Sequence, residues 1–121
     1  MVFLDPDNGL ETARMRHRHA ATDKHVAWRE VKDYYDRGQS VILYQHRPQM
    51  MKKTDCIRGI LAFQAEFLHA DGVLVLEYPR YTNRYYFMFC RDAHRSKLER
   101  AYRGVTETWC GMCAAVDICR L

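Results

Sequence analysis

No apolar run in this chain approaches the length of a membrane span, and no signal peptide is visible. Those two absences lead to the expectation of a cytoplasmic protein without membrane contact. Internal repeats and low-complexity segments are also missing, which argues against a solenoid or a disordered tail. The five cysteines are an odd number without a secretory context and read as reduced thiols. Cys110-x-x-Cys113 has no second Cys-x-x-Cys to complete it, and Cys119 would need one of the histidines as a fourth ligand. The expectation is therefore no metal, with Cys110, Cys113 and Cys119 serving as small apolar residues near the C-terminus. The histidines at 17, 19 and 25 lack the i, i+4 spacing of a helical zinc pair.

What is present is an ordinary globular composition. The 121 residues are 48% hydrophobic and 28% charged, enough for a single domain, residues 1–121, with one genuine core. The net charge of +4 permits binding to nucleic acid or to an acidic protein without requiring either.

The first eleven residues organise the reading. Met1-Val2-Phe3-Leu4 is an apolar run that breaks at once into Asp5-Pro6-Asp7-Asn8-Gly9. Apolar residues to bury, then Pro to fix φ and Gly to permit positive φ, describe a short buried strand ending in a turn. Acidic and amide groups just past the carboxyl end of such a strand lie where open α/β sheets bind ligands. The segment that follows carries Arg14, Arg16, Arg18 and Lys24 among its histidines, a basic loop suited to phosphate or equally a solvated loop without a partner.

Asp23 is a candidate cap for a helix whose apolar face is Ala27, Trp28, Val31, Tyr34 and Tyr35, with Gly38 as its stop. Ser40 to His46 reads as a strand, and strand, helix and strand make a right-handed βαβ unit with parallel strands. Both carboxyl ends then lie on one edge, which places Tyr44, Gln45 and His46 near Asp5, Asp7 and Asn8. Thr54 or Asp55 is expected to cap a second helix with Ile57, Ile60, Leu61, Gln64 and Leu68 on one stripe. Val73–Tyr78 and Arg84–Cys90, joined by a turn-rich link, read as an antiparallel hairpin. Around its tip Tyr78, Arg80, Tyr81, Arg84 and Tyr86 interleave aromatic and basic groups, a surface able to stack bases while its arginines meet phosphate. Aromatics are also common in strands for packing alone. A last helix, Ala93 to Arg103, carries Arg95 and Arg100, has a thin apolar stripe and is expected to stop at Gly104. Residues 105–121 read as a short strand or turn, with Trp109, Met112, Val116 and Ile118 seeking burial.

The string Phe3-Leu4-Asp5-Pro6-Asp7-Asn8-Gly9 resembles the fourth motif of class I, Rossmann-like S-adenosylmethionine-dependent methyltransferases, and the order helix, Tyr-Gln-His strand, helix, hairpin follows the same family. The longer Phe-Leu-Asp-Pro-Asp-Asn-Gly-Leu-Glu string is similar to uncharacterised bacterial and phage proteins of that superfamily. The resemblance implies an α/β half-Rossmann sheet, β-α-β-α-β-β-α, with a parallel pair and an antiparallel hairpin. It covers only the second half of such an enzyme. No Gly-x-Gly follows an early strand, so the cofactor-binding half has no counterpart, and Asp7 and Asn8 stand where the amino-methylating enzymes have Pro and an aromatic residue.

Three functions follow as expectations. The first is a non-catalytic interaction protein without a cofactor. It would bind nucleic acid or a nucleic-acid-handling complex, as a phage-type inhibitor of a nuclease or defence system would, through Arg14, Arg16, Arg18, Lys24, Arg80, Tyr81, Arg84, Arg95 and Arg100. The uncovered outer edge of its first strand is then closed by the C-terminal segment, by a second copy in a homodimer, or by a partner protein. The second is a methyltransferase completed by oligomerisation or a partner chain, with S-adenosylmethionine as cofactor and Asp5, Asp7, Asn8 and His46 as catalytic groups. The third is a metal-dependent hydrolase with Asp5, Asp7 and Glu11 as oxygen ligands. The first is preferred, because a catalytic site needs a supporting shell and half of that shell is missing.

Overall fold

The structure is a computed structural model that describes residues 1–4, 28–47, 50–79, 83–109 and 111–118. Its described elements are β1 (Val2–Leu4), α1 (Trp28–Asp36), β2 (Val41–His46), α2 (Lys53–Phe67), β3 (Gly72–Tyr78), β4 (Arg84–Cys90), α3 (Asp92–Thr108) and β5 (Ala114–Ala115). The five strands form one mixed sheet in the order β1-β2-β4-β3-β5. β1 and β2 are parallel, with Leu4 opposite Leu43, so their carboxyl ends do share one edge. The other pairings are antiparallel, and β4 inserts between β2 and β3.

Side chains of a strand alternate between faces, so register sorts the sheet into two surfaces. The inner rows are Val2–Val41–Phe89–Val73 and Leu4–Leu43–Phe87–Val75. Against them pack Trp28, Val31 and Tyr35 of α1 and Cys56, Ile57, Ile60, Leu61 and Phe63 of α2. Trp28 lies nearly parallel to Phe63, with ring centroids 5.3 Å apart, and tilts against Phe89 at 5.9 Å. Aromatic stacks in these offset geometries add to the stabilisation from burial alone. Gly38 ends α1 with φ at +92°, and its N–H bonds the Tyr35 carbonyl, a conformation that suits glycine.

α3 covers the other face at one end. A side chain at Gly72 would meet the Arg95 guanidinium at 3.5 Å, so α3 crosses the sheet on the side opposite the main core. Leu98 is its one buried residue, as its thin apolar stripe leads one to expect. Two expectations at the helix ends are corrected. α3 runs through Gly104 to Thr108, where the Trp109 N–H bonds the Val105 carbonyl, because nothing crowds that turn and the hydrogen-bond ladder continues. The N-cap positions are Lys52 and Arg91, which make no side-chain cap bond; Thr54 and Asp55 lie inside the first turn of α2, and Asp92, the cap that a helix starting at Ala93 would take, is itself the first residue of α3.

The C-terminal segment pairs with β3, on the far side of the sheet from β1. It therefore does not close the first strand, and among the described residues no strand lies outside β1. Val116 and Ile118 pack on the inner core as expected, while Trp109 is 54% exposed, contrary to its hydrophobic character.

Candidate functional site

The outer face beyond α3 changes character row by row towards the carboxyl end of β2. Its first row is Phe3–Ile42–Met88–Leu74, its second Tyr44–Tyr86–Leu76, and its third His46–Arg84–Tyr78. Apolar side chains give way to aromatic ones and then to a cationic end. The rings form a connected group. Phe3 reaches across β2 to stack with Tyr86, centroids 6.4 Å apart at 28°, and Tyr44 meets Tyr86 edge-on at 5.5 Å. Phe3 is 54% exposed, and Tyr44, His46, Tyr78, Arg84 and Tyr86 are half-buried. The Arg84 guanidinium carbon lies 5.8 Å from the Tyr78 ring centroid, within cation–π range.

Arg84 differs from the other half-buried arginines. Arg47 bonds Asn83 Oδ1 at 3.1 Å and the Met51 carbonyl at 2.9 Å. Arg91 bonds the Tyr35 carbonyl. Arg84 has a buried Nε without a hydrogen-bond partner, and no described carboxylate pairs with it.

The inner face ends in a second polar row, Gln45–Tyr85–Glu77, beneath Cys56 of α2. Gln45 and Glu77 are buried and Tyr85 fully so. Lys53 Nζ lies 2.7 Å from Glu77 Oε2 and balances its charge in poor hydrogen-bond alignment, and the Tyr85 hydroxyl has no partner. Burial, followed by the Glu77 carboxylate, pushes the Tyr85 phenol up to about 12. Burial likewise raises the Cys56 thiol to about 11 despite the pull of Arg47, and the Cys90 thiol to about 11. All three stay protonated at neutral pH, which suits packing better than nucleophilic chemistry. Sequence reasoning singled out Gln45 of this row and passed over Tyr85 and Glu77. The signal was parity, because Glu77 stands two residues from Val75 and four from Val73 and so shares their inward face.

Of the residues singled out from the sequence, the structure brings His46 and Arg84 together as cross-strand neighbours and adds Tyr78 and Tyr86 to them. Arg100 is exposed on α3. Arg95 is engaged within its own helix, 3.1 Å from Glu99 and 3.9 Å from Asp92, which weakens it as a contact for a partner. Cys113 is half-buried. Asp5, Asp7, Asn8, Glu11, Arg14, Arg16, Arg18, Lys24, Arg80, Tyr81, Cys110 and Cys119 lie outside the described residues. Among the described residues no cluster of histidine, cysteine and acidic groups is able to hold a metal ion, and no helix is long and apolar enough to cross a membrane. No protein-family model matches the chain, and no curated protein or solved structure is significantly similar to it.

Proposed function

We propose that this protein is a non-catalytic interaction protein that binds nucleic acid, by itself or within a nucleic-acid-handling complex, through the outer face of its sheet. The observation that carries this reading is the aromatic group Phe3, Tyr86 and Tyr44 set beside Arg84 and its cross-strand neighbour His46. Rings that stack bases and cations that meet phosphate are the two ingredients of sequence-tolerant nucleic-acid binding. The positive net charge supports it. The outer edge of β1 adds a route for self-association or for strand addition by a partner protein.

The parallel β1–β2 pair followed by the β3–β4 hairpin supports a half-Rossmann, methyltransferase-like ancestry for the sheet. It also keeps a second reading open, a methyltransferase completed by another chain. Calorimetric titration with S-adenosylmethionine separates the two: no heat from folded protein is expected, and binding would favour the enzyme. The first reading is tested by fluorescence anisotropy with labelled oligonucleotides. Binding is expected, and Arg84→Glu should weaken it while leaving the circular dichroism spectrum unchanged.

A further inference from the structure

We infer that the nucleic acid taken by the outer face is single-stranded, with its bases on the Phe3–Tyr86–Tyr44 rings and a backbone phosphate on Arg84. This inference rests on the nucleic-acid reading above and narrows it to one class of ligand.

Ring geometry supplies the first argument. Phe3 and Tyr86 already form a two-ring stack at 28° and 6.4 Å, and Phe3 ends that stack with more than half its surface open. An unpaired base extends such a stack with its flat face. In a duplex each base face is occupied by its neighbours, and only base edges and phosphates are presented to a protein. A flat sheet carrying aromatic rings therefore has nothing to stack on a duplex.

Charge supplies the second. Duplex binding without base contacts draws its affinity from many phosphate contacts. The described surface does not provide a uniform row of free cations beside the rings. On α3, Arg95 pairs with Glu99 at 3.1 Å, and Glu99 lies between Lys97 and Arg100. Among the described residues Arg84 shares the third outer row with His46 and Tyr78, next to the row of Tyr44 and Tyr86, and has no described carboxylate partner. Its guanidinium carbon lies 5.8 Å from the centroid of the Tyr78 ring in the same row. Among the described residues one guanidinium stands beside three rings, which matches a strand whose bases supply much of the contact.

Fluorescence anisotropy with labelled oligothymidine and oligouridine of about twelve nucleotides, against a duplex of the same length, tests the inference. The single strands should bind at least about tenfold more tightly than the duplex. Phe3→Ala, at a site open enough to leave the core intact, should weaken single-strand binding about tenfold, and Phe3→Trp should restore it. Arg84→Gln should weaken binding and reduce the slope of log affinity against log salt by about 0.7, the share of one phosphate on a single strand. Equal or tighter binding to the duplex would overturn the single-strand inference and leave the nucleic-acid reading in place. Single-strand binding indifferent to both Phe3→Ala and Arg84→Gln would overturn the assignment to this face. Folded protein that binds neither form would overturn the inference and the reading together, and point to a protein partner.

Discussion

The Arg91 guanidinium carbon lies over the Tyr35 ring, 4.1 Å from its centroid, and the group donates hydrogen bonds to the Tyr35 carbonyl in the last turn of α1. The same tyrosine donates its hydroxyl to the Cys90 carbonyl at 3.1 Å and accepts the Asp71 N–H at 2.8 Å. Ser40 completes the join: its hydroxyl accepts the Arg91 N–H at 2.9 Å and lies 2.8 Å from His94 Nδ1. This hub ties the ends of α1 and β4 to the starts of β2, β3 and α3, at the end of the sheet opposite the aromatic face. Arg91→Ala should therefore cost about 2–4 kcal/mol, from a lost cation–π contact and lost charge-assisted hydrogen bonds. Urea denaturation measures it, and Arg91→Lys should not restore the loss because an ammonium cannot both stack and fork.

Stability should fall in alkali. Cys56 and Cys90 are raised from 9.0 to about 11, and Tyr85 from 10.0 to about 12, all by burial first. The unfolded chain releases these protons at lower pH than the folded one. Their contribution is intact below pH 9 and is lost progressively as pH rises from about 9 to about 11 for the thiols, and from about 10 to about 12 for the phenol. Urea midpoints across that range should decline, and Cys56→Ala should make the decline shallower. A midpoint constant from pH 9 to 11 would mean that the thiols ionise in place.

Tyr85→Phe removes a fully buried hydroxyl that has no partner and leaves the ring stacked edge-on with Phe87. Such a deletion is expected to be neutral or to stabilise by about 1 kcal/mol, unlike most core substitutions. Thermal unfolding at neutral pH reads the sign. A clear loss would show that the hydroxyl has a partner in solution.

The two tryptophans should respond oppositely to quenchers. Trp28 is 2% exposed and stacked on Phe63, while Trp109 is 54% exposed. Trp109→Phe should leave blue-shifted emission that acrylamide scarcely quenches, and Trp28→Phe should leave red-shifted, readily quenched emission. Trp28→Ala should cost about 3–5 kcal/mol by opening a cavity among α1, α2 and β4.

Self-association is the expected behaviour of the outer edge of β1. Its Val2 N–H is used on the Ser40 carbonyl of β2, and the alternation of a strand turns the Phe3 N–H and carbonyl to the other side. Sedimentation velocity should give a mass that rises above one chain with concentration. A single-chain mass at every concentration would leave that edge to a partner protein.

Much of this architecture was legible in local pattern. The stripe Trp28, Val31 and Tyr35 is buried as its spacing requires, Gly38 stops the helix, and the two β-rich runs form the hairpin. These features depend on neighbours three or four residues apart, or on a period of two, so the chain specifies them without long-range information. The stop expected at Gly104 failed because glycine only permits a helix to end, and α3 still buries Leu98 and uses the Tyr102 hydroxyl on the Val75 carbonyl.

Tertiary structure alone decided which side chains meet. His46, Arg84 and Tyr78 form one row only because β4 lies between β2 and β3, and Phe3 reaches Tyr86 only because β1 joins the free side of β2. Strand order depends on which edges are left to pair once the helices cover a face, and no local periodicity carries that choice. The same holds for the C-terminal segment: Ala114 and Ala115 pair with β3 rather than β1, where Val116 and Ile118 close the core at that edge. The aromatic and basic residues of the outer face are written in the chain. Their convergence on one face is a property of the sheet.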